Sequence, residues 1–543
     1  MKRILPLLLI ACSLSAKAQV YNNEWIDYSK TYYKFKVAVT GLYRITQPTL
    51  SSIGLGSTPA EYFQLWRNGQ EIPIYTSVQT GAMASSDYIE FWGAMNDGKP
   101  DNILYRLPDY QLSDKWSLET DTAAYFLTVN TLGNSFHLQP VVNDVAGNVL
   151  PPEPYFMHTA GAYYKDKINS GRSELVGDSY TYSSSYEYGE GWTSNDIPNQ
   201  SSRTFSTSSL FVYAGAGAPQ PEVKVTAAGN AVHTRNIRIK VNADSIYGAP
   251  LNYYDYAKIS VPVTIAQISA FNVNIEAANT GTEANDRMVL GHIELIYPHT
   301  FNLPSIRNWT FELPANLSGN YLEFTGFIFS GPAPVLYDLT NGKRYVADIT
   351  NPVILKFALQ PSSVPRKFVL ADQAPANITA VTSFQQRNFI NYGLLANQGE
   401  YLIIAHPALT NGANGTNPVN DYKDYRSSSQ GGGYNTKIYI IDELVDQFGL
   451  GIKKHPLSIR NFLRWARVNY SAPLKHVFLI GKGVVYNQYR PNENNPDIEK
   501  LALMPTFGYP ASDNMLSAEP GSSTPLTPIG RLSAINADEV ALY

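Results

Sequence analysis

The sequence predicts a multidomain protein in which all-β domains, sandwich or jelly-roll-like, precede an α/β domain built on a parallel sheet. Three observations lead there. Up to about residue 395, short runs of alternating polar and apolar residues recur between Gly, Asn and Pro breaks, the pattern of strands with one face in a core. Beyond it, Glu400–Ala405, Lys437–Ile441 and His476–Gly481 are nearly continuous apolar runs, as strands covered on both faces require. Between the second and third, Ile459, Phe462, Leu463 and Ala466 recur at helical spacing behind Pro456, which suits a first helical position. Strand, helix, strand at this spacing is a parallel βαβ unit.

Composition bounds the rest. A chain of 543 residues holds several domains. A formal net charge of −4 with 16% charged residues excludes the basic stripe of a nucleic-acid binder. Tyr (38), Gly (38) and Pro (35) suit β-rich architecture, since Tyr fits half-buried pleated faces. At the N-terminus, Lys2-Arg3, the apolar stretch Ile4–Leu14 and Ala16-Lys17-Ala18 form a secretory signal over residues 1–18, too short to span a bilayer. Leu9-Ile10-Ala11-Cys12 offers a lipoprotein processing site instead; cleavage after Ala18 is the favoured reading. Cys12 is the only cysteine, so a segment cleaved after Ala18 has no disulfide, cysteine metal site or thiol nucleophile.

In chain order, residues 19–145 read as a β-rich unit. Tyr33–Val39 and Leu42–Ile45, broken at Thr40-Gly41, read as a hairpin, with strands at Tyr62–Trp66 and Tyr88–Trp92. Asn96–Asn102 is dense in oxygen ligands but lacks the later bidentate Glu of a calcium loop, and reads as a turn. Residues 146–300 continue as a sandwich or jelly roll, with strands at Ser209–Tyr213, Glu222–Val225, Ile237–Val241, Phe271–Ile275 and His292–Ile296. Ser179–Arg203 carries little periodicity and reads as a loop; its aromatic stretch Tyr180–Trp192 would also suit a sugar face. His292 and Glu294 share a strand face, too few ligands for a metal. Residues 301–395 add strands at Tyr321–Phe324, Val335–Asp338 and Lys367–Leu370 and lead into the last domain, 396–543.

In that domain Pro418–Arg426 reads as a helix, Asp442 as the cap of a short helix ending near Phe448-Gly449, and Tyr486–Asp497 as loop. Parallel sheets present their chemistry at strand carboxyl ends, here His406-Pro407, Asp442-Glu443 and Gly481-Lys482-Gly483. Asn536 and Glu539 are spaced as an N-cap and its N3 partner, yet few residues follow, so the sequence reads as the front of a longer protein.

The ordered set Glu400–His406, Ile440-Ile441-Asp442-Glu443, Ser458–Leu463, Val477–Gly481, Met504-Pro505-Thr506, Ser512-Asp513 and Ile529–Leu532 resembles the opening of the gingipain-type cysteine peptidase domain. Gly41–Ile45, Asn68–Glu71 and Ile89–Gly93 resemble the N-terminal part of PorU-type sortases of the type IX secretion system of Bacteroidetes. The resemblance implies a caspase-like α/β fold, here partial. It implies a cysteine endopeptidase that removes C-terminal sorting domains from exported cargo and can attach the product to an anionic lipopolysaccharide. It further implies location at the outer-membrane surface or outside the cell, with sorting-domain substrates and outer-membrane secretion components as partners. The family's catalytic His, in a Gly-His-Gly loop, and its Cys lie downstream of the Gly-Arg-Leu segment, so both are expected beyond Tyr543 and no catalytic residue is assigned within the chain. Lys482 stands where gingipains tend to have Asp.

A thiolate nucleophile, an imidazole base and oxyanion donors need no cofactor; Ca2+ is allowed by this reading but not required by it. His406, Lys482 and Asp513 are the near-site candidates: His406 as a neighbour of the site rather than its base, Lys482 for a carboxylate, Asp513 for a cation or a subsite. The ordinary alternatives are a solvent-facing His, an exposed Lys and a Ser512-Asp513-Asn514 turn, with Arg531 pairing structurally. The rival function is a surface scaffold or adhesion module carrying a non-catalytic caspase-like domain.

Overall fold

The computed structural model describes residues 20–133 and 135–543; the signal segment and Cys12 lie outside the described residues. β1 (Tyr32–Val37) and β2 (Gly41–Thr46) do not form the expected hairpin. β1 pairs with β3 (Ala123–Val129) and β4 (Gln385–Arg387), whereas β2 pairs with Tyr88–Gly93 and Ile378–Ala380. The chain crosses at Thr40-Gly41 from one sheet to the other because both strands then bury their apolar sides. Phe35 and Val37 meet Tyr43 and Ile45 in one core between the sheets.

The next unit is a two-sheet sandwich. Val223, Val225, Ile293 and Leu295 of one sheet face Ile237, Ile239, Val273 and Ile275 of the other. Two readings are corrected here. Ser209–Tyr213 is not a strand, for Ser209 and Phe211 hold φ of 54° and 48°, outside extended geometry. The neighbouring Ser201–Ser208, whose first three residues fall in the stretch read as loop, is an eight-residue strand with Phe205 as its one large apolar inward residue. Ser179–Tyr182 and Glu190–Thr193 are likewise strands. A third pair of sheets is filled by Phe301, Phe311, Phe324, Phe357 and Phe368. Gln139–Val141 joins it beside Lys343–Val346, while Ile378–Ala380 and β4 return to the first unit.

The last unit has four parallel strands, β5 (Tyr401–Ala405), β6 (Thr436–Ile440), β7 (His476–Ile480) and β8 (Ile529–Leu532), in the order β6-β5-β7-β8. From β5 the chain steps one way to β6 and then back past β5 to β7. Right-handed crossovers therefore place the intervening helices on opposite faces. Helix α1 (Pro418–Ser427) buries Val419 against Ile403, Ala405 and Ile480 on one face. Helices α2 (Ile441–Phe448) and α3 (Leu457–Asn469) bury Leu444, Phe448, Ile459, Phe462 and Leu463 against Leu402, Ile404 and Leu479 on the other.

Asp442 is not the α2 cap. Ile440 holds that position and Asp442 and Glu443 occupy the first turn, where the helix dipole favours acids. Pro456 occupies the N-cap position of α3 rather than its first helical residue. Tyr486–Asp497 also departs from the loop reading, holding Tyr486–Tyr489 and the start of Pro496–Leu501 as short helices. Such single turns are stabilised by tertiary burial of Tyr486 and Tyr489 rather than by local periodicity. Helix α4 (Ala537–Leu542) is capped by Asn536, whose side chain accepts from the Glu539 N–H. No helix among the described residues is long and apolar enough to cross a membrane.

Two units meet the α/β domain. The Tyr186 ring, fully buried, stacks on Tyr486 and meets Phe507 edge-on, so the centre of the Tyr180–Trp192 stretch is packed inside the protein. The outward face of β1 and β3 docks on α2, where Asp446, fully buried, receives both Lys34 and Arg387.

Candidate functional site

The carboxyl ends of β5 and β6 open into a cavity of about 490 Å³. The order β6-β5-β7 puts the reversal of strand succession beside β5, the place where open α/β sheets form a crevice. His406, Ile441 and Asp442 line it from the strand ends, and Leu503 and Pro505 from the segment bonded to the loop after β7. Lys34, Lys36, Ala124 and Arg387 of the β-rich unit form the opposite wall, and Lys453, Lys454 and Glu499 close one side. The site is therefore shared between the α/β domain and the first unit.

His406 follows β5 and starts a single 3-10 turn, Pro407–Leu409. The Ala408 N–H donates to its Nδ1 at 3.2 Å, which fixes the tautomer with the proton on Nε2. Burial lowers its pKa and Asp442 opposes that shift, so the ring is neutral at pH 7 and presents an N–H donor to the cavity. It is poorly arranged as a base, since its acceptor nitrogen is already occupied.

Lys454 is the most constrained group in the cavity. It has φ of 64°, a left-handed conformation that a β-carbon disfavours, and only 12% of its side chain is exposed. Burial lowers its pKa, Glu499 opposes the shift and Lys453 adds to it. The Glu499 carboxylate lies 3.6 Å from Lys454 Nζ, while it takes Lys453 Nζ at 2.8 Å and the Tyr489 hydroxyl at 3.0 Å.

The other two candidates stand apart from the cavity lining. The Lys482 N–H donates to the Ala534 carbonyl, and its own carbonyl accepts from the Leu503 and Met504 N–H groups, so its backbone organises the loop after β7. Asp513 begins a short helix, Asp513–Leu516, and receives Arg531 in a two-pronged pair with contacts of 2.6–3.1 Å. Arg531 also donates to the Gly481 and Pro505 carbonyls, at 3.1 and 2.9 Å. This pair braces two loops at the strand ends. The structure thus brings His406 together with Asp442 and Lys454, and places Lys482 and Asp513 on the supporting side.

Sequence reasoning missed Lys454, Glu499 and the wall from Lys34, Lys36 and Arg387. No local pattern marks them, because their meeting depends on how distant units dock. His292 and Glu294 do share a face, and each has a structural partner: Thr226 for the ring and the Tyr163 hydroxyl, at 2.6 Å, for the carboxylate. In the Asn96–Asn102 turn, Asp101 is bonded to His455 and to the Leu118 N–H. Among the described residues no cluster of three or more His, Cys, Asp or Glu is placed to hold a metal ion.

Residues 395–543 match the family model for Peptidase family C25. A sequence comparison with curated proteins gave no match. Among solved structures, the chain is similar to dimeric latent PorU from Porphyromonas gingivalis, at 13% identity and a TM-score of 0.57, over 95% of this chain and 49% of that one. The chain thus spans about half the length of that structure, and the likeness establishes a shared fold of β-rich domains followed by a caspase-like α/β domain. Smaller likenesses cover 25% of the chain for a family 35 carbohydrate-binding module from Clostridium thermocellum (13% identity, TM-score 0.14, 97% of that chain). They cover 27% for a family 35 module from Cellvibrio japonicus (11%, 0.15, 98%).

Proposed function

We propose that the chain serves an exported cysteine-type peptidase of the PorU kind, which cleaves C-terminal sorting segments from secreted cargo at the cell surface and passes the acyl product to water or an amine acceptor. The observation that carries this reading is the coincidence of the Peptidase family C25 match, residues 395–543, with a parallel sheet whose strand ends open on a cavity. In this reading the nucleophilic Cys and its partner His are encoded after Tyr543. The thiolate attacks the scissile carbonyl, the C–N bond breaks as the imidazolium protonates the leaving amine, and the thioester is then resolved by water or an amine. The residues present would shape the substrate channel: His406 offers a neutral N–H, and the Arg531–Asp513 brace holds the loops after β7 and at Pro505.

The test is to express the open reading frame through and past Tyr543 and assay it on a peptide spanning a cargo–sorting-domain junction. Cleavage that is stopped by a thiol alkylator and by a Cys→Ala change downstream supports the reading. An intact product with no such cleavage overturns it in favour of a surface binding module. The segment from Gln19 to Tyr543 alone contains no cysteine and is expected to show no alkylator-sensitive hydrolysis.

A further inference from the structure

We propose that the cavity between the α/β domain and the β-rich unit is a carboxylate-binding subsite, with Lys454 as its principal cation and Lys36 as the second. The ligand is an acidic side chain or a free C-terminal carboxylate on a polypeptide. The proposal takes from the peptidase reading only that the ligand is a polypeptide.

The argument begins with charge. Five cationic side chains line the cavity, Lys34, Lys36, Arg387, Lys453 and Lys454. Lys34 and Arg387 share one carboxylate, Asp446, and Lys453 and Lys454 share another, Glu499, so each group keeps one positive charge uncompensated. Lys36, an exposed residue of the lining, has no ion-pair partner among the described residues. Glu493 is taken by Arg490, whose side chain also reaches Asp121. Asp442, which acts on both His406 and Lys454, is the remaining carboxylate of the lining.

Geometry then singles out Lys454. Only 12% of its side chain is exposed and its backbone is left-handed; the Glu499 oxygen that faces it, Oε1, stands 3.6 Å away, while the Lys453 ammonium and the Tyr489 hydroxyl both bond the other oxygen, Oε2. Residues kept in sparsely populated conformations cluster where the conformation serves a ligand. A desolvated ammonium with unfilled donors gains most from an incoming carboxylate, because the charge-assisted hydrogen bond forms where water is scarce.

The experiment is titration calorimetry on the chain as it stands, with three capped peptides: N-acetyl-Gly-Gly-Glu-Gly-Gly-amide, N-acetyl-Gly-Gly-Gly-Gly with a free carboxyl terminus, and the Gln isostere of the first. At least one carboxylate peptide is expected to bind about tenfold or more tightly than the Gln peptide, with a preference that weakens as salt rises. Which of the two it is identifies the source of the carboxylate. Lys454→Met should abolish the preference, Lys36→Met should reduce it several-fold, and Lys482→Met, outside the lining, should leave it intact. Lys454→Gly removes the ammonium while relieving the left-handed backbone, so it should fold and still lose the preference. Equal or undetectable binding of all three peptides overturns the proposal, as does a preference that survives in Lys454→Gly. Hydrolysis is not read in this assay, so failure of the peptidase reading and failure of the subsite are told apart.

Discussion

His455 Nε2 lies 2.9 Å from Asp101 Oδ1, with both side chains buried, and the pair joins the entry of α3 to the first β-rich unit. The Leu457 N–H donates to His455 Nδ1, so the ring carries its proton on Nε2 and donates it to Asp101. Asp101 also accepts from the Leu118 N–H at 2.7 Å. One carboxylate thus satisfies two donors from different units in a place without water. Asp101→Ala leaves both donors unpaired and should cost about 3–5 kcal/mol of stability. His455→Gln, which keeps a donor, should cost less. Denaturant titration of the two single variants and the double variant gives the coupling, and additivity would show that the pair does not hold the junction.

Glu190 makes the neighbouring junction, between the second unit and the α/β domain, sensitive to pH. It is buried, the Tyr486 hydroxyl donates to Oε1 at 2.5 Å and the Glu187 N–H to Oε2 at 2.9 Å, yet burial still pushes its pKa up to about 8. Glu119, also buried, is raised in the same direction by burial and by Asp101. An acid whose folded pKa is raised contributes stability that is complete below its unfolded pKa and is lost as pH rises to the folded one. For Glu190 the loss runs from about 4.5 to about 8. Its slope cannot exceed about 1.4 kcal/mol per pH unit for a single group. Thermal unfolding between pH 5 and pH 8 should therefore show a falling Tm that is flatter in Glu190→Gln and flatter again with Glu119→Gln. An unchanged slope in both variants would count against the buried acids.

Much of the α/β domain was legible because its signals are local. The runs at Tyr401–Ala405, Thr436–Ile440 and His476–Ile480 are apolar on both sides, and the Ile459–Phe462–Leu463–Ala466 spacing is helical wherever it docks. The errors arose where packing decides. A break at Thr40-Gly41 serves a hairpin and a crossing between sheets equally well, and only the shared core of Phe35, Val37, Tyr43 and Ile45 distinguishes them. The start of Ser201–Ser208 reads as loop because, of its inward positions Ser201, Arg203, Phe205 and Thr207, only Phe205 is a large apolar residue. The cavity was half legible: strand ends pointed to His406 and Asp442, while its opposite wall comes from residues far away in sequence.

Gly451 tests whether that wall is held in place by close docking. It has φ of 73°, and a β-carbon there would stand 2.5 Å from the Ala124 Cβ and 3.2 Å from the Phe126 ring. Gly451→Ala therefore adds backbone strain to an interface clash, about 1–3 kcal/mol for each effect. The expected outcome is a lower Tm with earlier proteolytic nicking between the first unit and the α/β domain. A variant as stable and as resistant as the parent would mean that the interface yields freely.

Arg531 distinguishes a brace from a reacting group. Its guanidinium meets Asp513 and two loop carbonyls, and its pairing partner lies outside the cavity lining, so its effect on any bound peptide must pass through the Gly481 and Pro505 loops. Arg531→Met removes five hydrogen bonds that are partly screened from water and should cost about 2–4 kcal/mol. Asp513→Asn leaves the two carbonyl contacts and should cost about 1–2 kcal/mol. If these residues only position loops, both variants shift the denaturation midpoint in that order, and Arg531→Lys recovers part of the loss. In an active longer product both should raise KM more than they lower kcat. A collapse of kcat with unchanged stability and KM would instead place Asp513 or Arg531 at the reacting atoms.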